Sequence, residues 1–104
     1  MYGLKKEELG ILQKSFSKYP SVKEVILYGS RAVGNYKEGS DIDMVIIADD
    51  SIKDKLFYIY DELEEELPYF IDIALYNTIK NEKLKQHIKN FGKTLYQKDQ
   101  KSKI

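Results

Sequence analysis

Cysteine is absent from this chain of 104 residues, which rules out disulfides and thiolate metal sites and leaves no thiol from which to read a redox compartment. Net charge is absent too, because seventeen basic and seventeen acidic side chains cancel. A surface without an overall positive field suits polymeric DNA or RNA poorly, so polymeric nucleic acid is not an expected partner. A single nucleotide is a different matter, since one triphosphate needs only a few well-placed donors. Long apolar runs are also missing. VILY and MVIIA fall far short of a membrane span, and MYGLKKEELG lacks the apolar stretch of a secretion signal, so the expectations are no membrane and a cytoplasmic location.

What the chain does contain is enough for a core. With 42% hydrophobic and 33% charged residues, the composition is that of one ordered, highly soluble domain, which at this length buries roughly two-thirds of its unfolded surface. The domain is expected to cover residues 1–97, with a disordered tail over 98–104. Leu9, Leu12, Phe16 and Tyr19 recur at helical steps and predict a helix from Lys5 that Pro20 ends. KEVILY predicts a buried strand that stops at Gly29. DIDMVIIA, polar at its start and apolar at its end, predicts a strand running from a surface site into the core. Asp50 and Ser51 offer caps to a helix carrying Ile52, Leu56, Ile59, Tyr60, Leu63 and Leu67, broken by Pro68. YFIDIALY predicts a third strand, a last helix starts near Asn81 and ends at Gly92 as C-terminal glycines usually end helices, and KTLY can add a short strand or a packing segment. The fold class is therefore α/β (α+β): a small mixed sheet covered by helices.

The stretch GSRAVGNYKEGSDID, residues 29–43, holds half of the six glycines, the only arginine and two aspartates. Asp41 and Asp43 stand two apart on a predicted strand, so their side chains leave the same face with Cα atoms roughly 6.5 Å apart. Carboxylates that close repel unless a divalent cation lies between them, and magnesium is usually held in this way by few carboxylates, waters and phosphate oxygens. Asp72 is the one charge in its strand, and its parity sets it opposite the face of Ile71 and Ile73. If the strands are neighbours, three acids around two cations suit an in-line displacement at phosphorus. Gly29 and Ser30 follow a strand directly, where backbone amides can approach phosphate closely, and Arg31 offers a planar fork for the same oxygens.

The same stretch resembles the signature of the DNA polymerase β-like nucleotidyltransferases, Gly-Ser, a few residues, Gly, then Ser-Asp-x-Asp, with every defining position filled. The resemblance runs on through LPYFIDIALY and HIKNFGKTLY and is nearest to the minimal nucleotidyltransferases of bacteria and archaea. It implies a polymerase β-like fold in which Gly29, Ser30, Arg31 and Ser40 contact the nucleotide, while Asp41, Asp43 and Asp72 bind two Mg2+ ions and carry catalysis, with ATP as substrate. Such proteins are typically encoded beside an all-helical partner of the HEPN or substrate-binding type, and characterised members transfer AMP to a tyrosine of that toxin. The resemblance thus implies a Mg2+-dependent antitoxin that adenylylates a HEPN-type partner. Two other readings stand beside it: a non-catalytic module that neutralises the partner by complex formation, and the catalytic subunit of a small-molecule nucleotidyltransferase. The last needs a second wall for its pocket, which only another subunit would provide. A small core also leaves an edge or face for homo- or hetero-oligomers.

Other conspicuous residues have plainer readings. His87, the only histidine, is expected as a half-buried packing residue, most tyrosines as structural, and DELEEEL as a solvated helix end. Tyr36 is the exception, placed in the loop where it could flank a nucleotide.

Overall fold

Alternation along the strands decides the architecture. This computed structural model describes residues 1–98; apart from Lys98, the tail expected from 98 onward lies outside the described residues. The elements are α1 (Lys6–Ser17), β1 (Val22–Tyr28), α2 (Ser30–Val33), β2 (Ile42–Ala48), α3 (Leu56–Glu66), β3 (Ile71–Leu75), α4 (Glu82–Phe91) and β4 (Lys93–Gln97). They form one mixed sheet in the order β3-β2-β1-β4. β1 is antiparallel to both β2 and β4, whereas β2 and β3, joined through α3, run parallel.

Along β1, β2 and β3 one parity is dry. Val25 and Leu27 of β1, Met44 and Ile46 of β2, and Ile73 and Leu75 of β3 join Leu12 and Phe16 of α1 and Ile59 and Leu63 of α3 in a single core. The other parity carries Ile26 and Tyr28, Val45 and Asp43, and Ala74 and Asp72, which the register aligns row by row across β1, β2 and β3. α4 packs against β1 on that outer face and buries Ile88, and Val45 on the same face is buried as well. At the end of the face bearing Tyr28, Asp43 and Asp72, α4 reaches Tyr28 through His87, while Asp43 is half-buried and Asp72 exposed.

Two local expectations change. The helix after β2 begins as a 3-10 stretch over Asp50–Lys55, and its cap is Asp49, whose carboxylate accepts from the Ser51 N–H at 3.0 Å, in place of Asp50 or Ser51. Gly92 ends α4 but is not left-handed (φ −61°, ψ 145°). Its small size is needed for another reason: a Cβ there would run into the Ile88 carbonyl and stand 2.6 Å from Ile26 Cγ2. α4 can therefore turn into β4 only because nothing projects from residue 92.

Both outer strands have their backbone partly engaged by side chains. The Tyr60 hydroxyl of α3 accepts from the Ile73 N–H at 2.7 Å and donates to the Ile73 carbonyl at 3.2 Å. On β4, Gln13 of α1 donates to the Leu95 carbonyl at 3.1 Å, beside the register irregularity that β4 shows against β1. Side chains thus occupy backbone groups that would otherwise invite another strand.

Candidate active site

The acids come together through strand pairing. Asp43 is the register partner of Asp72 across the parallel β2/β3 ladder, and of Tyr28 across the antiparallel β1/β2 ladder. Neighbouring strands lie about 4.8 Å apart, so the three side chains form a row on one face. Burial, the nearby Asp72 charge and then the Asp41 charge push the Asp43 carboxyl above the usual carboxylate range. The Tyr28 phenol is likewise raised, by burial first and then by Asp72 and Asp43. Burial leads both shifts, and the neighbouring carboxylates add to it.

Asp41 stands just ahead of β2 and is exposed. Among the described residues no three carboxylate or imidazole side chains form a ready-made cage for a metal ion. The expectation of three converging acids is thereby narrowed: the pair Asp43 and Asp72 is preformed, and Asp41 adds its charge from outside the strand. Such a site fits a hard divalent cation of the magnesium type, which takes one or two carboxylates and completes its shell with water and phosphate oxygens.

The turn beside the acids is built around Gly29. Its backbone (φ 77°, ψ −154°) lies where side chains are strained, and a Cβ would stand 2.7 Å from Asp43 Oδ2. Only glycine allows β1 to leave the sheet this close to the carboxylate. The Gly29 carbonyl accepts from Ala32 and Val33, starting the single turn α2, which sequence patterning read simply as loop. The amides of Ser30 and Arg31 open that turn, at the positions a helix leaves without intrahelical partners.

Arg31 is placed differently from expectation. It is 2% exposed, and its fork donates to the carbonyls of Tyr2 (3.0 Å), Ser40 (2.7 and 3.2 Å) and Asp41 (3.3 Å). Its guanidinium carbon lies 4.7 Å from the centre of the Tyr69 ring and 5.3 Å from that of Tyr36. Tyr69 in turn donates to the buried Glu8 carboxylate at 3.0 Å. The expected phosphate grip is thus already engaged, and Arg31 pins the 34–41 loop to the N-terminal segment. Tyr36, expected beside a nucleotide, packs on this arginine. The Ser40 hydroxyl accepts from the Lys37 N–H at 2.8 Å, shaping the turn at Gly39.

Beside the turn stand Tyr28, which sequence reasoning left out, and His87, half-buried as expected. His87 accepts a hydrogen bond from the Gly29 N–H at 3.0 Å and meets the Tyr28 ring edge-on. No local pattern signals a contact between positions 29 and 87. Tyr28 was findable, because it precedes Gly29 on the parity that register pairs with Asp43.

The comparisons agree with this fold. The family model described as polymerase β nucleotidyltransferase matches residues 11–101, and the chain belongs to that family. A comparison with curated proteins returned no match. Among solved structures, a toxin–antitoxin complex with AMP-PNP is similar at 21% identity and a TM-score of 0.66, covering 96% of this chain and 79% of that one. An MntA–HepT toxin–antitoxin structure is similar at 18% identity and 0.65, covering 95% and 78%. The tri-AMPylated HEPN toxin of Shewanella oneidensis in complex with MNT antitoxin is similar at 18% identity and 0.64, covering 99% and 78%. At these identities the likeness speaks to the fold.

Proposed function

We propose that this member of the polymerase β nucleotidyltransferase family transfers AMP from ATP to a hydroxyl of a partner protein, acting as the antitoxin of a HEPN-type toxin. The observation that carries the reading is the in-register pair Asp43 and Asp72, set beside the glycine turn at the end of β1. The similarity to antitoxin–toxin structures supports the choice of partner.

Asp43 and Asp72, joined by Asp41, would hold Mg2+, which when bound neutralises triphosphate charge and stabilises the leaving pyrophosphate. Gly29 shapes the turn whose Ser30 and Arg31 amides receive the phosphates, and Ser40 supports the loop behind them. Arg31 contributes from behind, by fixing the carbonyl of Asp41. Asp72, the more exposed of the pair, faces the incoming hydroxyl and accepts its proton. The hydroxyl oxygen forms the new bond to the α-phosphorus as the bond to pyrophosphate breaks, so AMP is transferred and pyrophosphate departs.

The test uses purified protein, Mg2+, ATP labelled at the α-phosphate, and the co-encoded helical partner. Label is expected on the partner with the intact protein and none with Asp43→Asn. Absence of label with the intact protein, or neutralisation of the partner in cells by Asp43→Asn as strong as by the wild type, would overturn the enzymatic reading and leave complex formation in its place.

A further inference from the structure

Gly29 joins β1 to α2, and its own amide is held by an element far away in the chain. The N–H donates to Nε2 of His87 on α4 over 3.0 Å. A ring nitrogen can accept only through a lone pair, so the imidazole at this contact is neutral and carries its proton on Nδ1. The ring is placed from two sides. Tyr28 meets it edge-on, with centroids 6.4 Å apart at 81°, and Phe91, one turn further along α4, lies 5.4 Å away.

This contact bears directly on the turn. On one side of Gly29 the peptide is fixed by His87; on the other, its carbonyl is fixed by the amides of Ala32 and Val33 at 3.1 and 3.2 Å. Between those anchors the backbone sits in a region that costs strain for any other residue. The turn also stands against Asp43, whose Oδ2 would be 2.7 Å from a Cβ at Gly29. The two peptides that meet at Gly29, one held by His87 and the other by Ala32 and Val33, together set the direction of the Ser30 amide and the distance from the turn to the carboxylate.

We infer that His87 is a positioning residue for the nucleotide site, its neutral Nε2 holding the Gly29 peptide so that the turn is ready for phosphate before nucleotide arrives. It touches neither the phosphates nor the acceptor and works through Gly29 alone. The inference rests on the nucleotidyltransferase reading and assigns a role to a residue that reading does not use. Preorganisation of this kind stabilises the bound state by removing an ordering cost.

The experiment measures binding of a non-hydrolysable ATP analogue with Mg2+ to the wild type, His87→Ala and His87→Gln, together with thermal unfolding and the nitrogen NMR shifts of the wild-type imidazole. Glutamine keeps an acceptor oxygen near the position of Nε2. The expected results are an imidazole protonated on Nδ1, binding weakened by roughly three- to tenfold in His87→Ala, the range a single hydrogen bond supplies, and recovery of most of that loss in His87→Gln. A wild type that does not bind the analogue overturns the parent reading and this inference with it. A wild type that binds, with His87→Ala equally tight, with His87→Gln as weak as His87→Ala, or with the imidazole proton on Nε2, overturns only the positioning role.

Discussion

The two faces of the sheet are made by the same strands and behave in opposite ways. On the core face, Leu27 and Met44 are fully buried and Ile73 is 8% exposed. One residue along, on the outer face, burial first and then neighbouring carboxylates, Asp72 among them, raise the proton affinity of Tyr28 and Asp43. The first face accounts for stability through apolar area removed from water. The second holds like charges together at a cost in stability, as sites built for a cation do. The same alternation therefore gives each strand a structural side and a chemical side, and the division can be tested.

The largest separation is expected at Asp43. Asp43→Asn should reduce transfer by at least about 10³-fold, through loss of charge stabilisation worth several kcal/mol, while raising the melting temperature of the metal-free protein by roughly 2–4 °C. The sign follows from linkage. The folded carboxyl holds its proton to higher pH than the unfolded one, so the metal-free protein is relatively stable below the unfolded value and loses stability as pH rises through the folded value. Asn at this position should flatten that fall in a thermal-melt series against pH, and Mg2+ with nucleotide should offset it in the wild type. If Asp43→Asn destabilises, the crowding is not what limits the metal-free fold.

The converse substitution lies one residue away in register. Leu27→Ala should cost about 2–5 kcal/mol in denaturant unfolding, with transfer per folded molecule retained. A site defect greater than the loss of folded protein would break the division between the faces.

Arg31→Lys lies at the boundary and is smaller. A lysine cannot serve three carbonyls with one planar fork, so a loss of about 1–3 kcal/mol is expected, read by chemical denaturation. Nucleotide affinity, measured on the folded fraction, should change less than stability. The opposite order would restore Arg31 as a direct phosphate contact.

Tyr60→Phe is expected to be mildest, at about 1 kcal/mol, since it frees the N–H and carbonyl of Ile73 at the edge of β3. Light scattering at rising protein concentration checks whether the uncovered edge also promotes association.

How much of this was legible in the sequence depended on the distance over which each feature is decided. Helix and strand periods are local, so α1, β1, β2, α3, β3 and α4 were visible, with β4 as one of two readings of KTLY, as were the two-residue step of the aspartates and the parity of Asp72 against Ile71 and Ile73. The lone turn of α2 was not, because four residues carry no period. Arg31 misled for a physical reason: a guanidinium suits backbone carbonyls as well as phosphate. Which of them it meets was settled by Tyr2, Tyr69 and the returning loop. His87 was read as packing because its partner, the Gly29 amide, lies 58 residues away. The family model was foreshadowed by the one motif in which every spacing is local.

The pairing of residue 43 with residue 72 also governs where the chain tolerates a change in length. Two acids facing each other across a backbone ladder keep a separation set like marks on a ruler, independent of the rotamers of long side chains. Residues can be added to the connector through α3 without moving those marks, since longer surface connections cost little. One residue inserted within β3 ahead of Asp72 would turn it toward the interior and present an isoleucine in its place. Insertions should therefore be accepted between the strands and rejected within them.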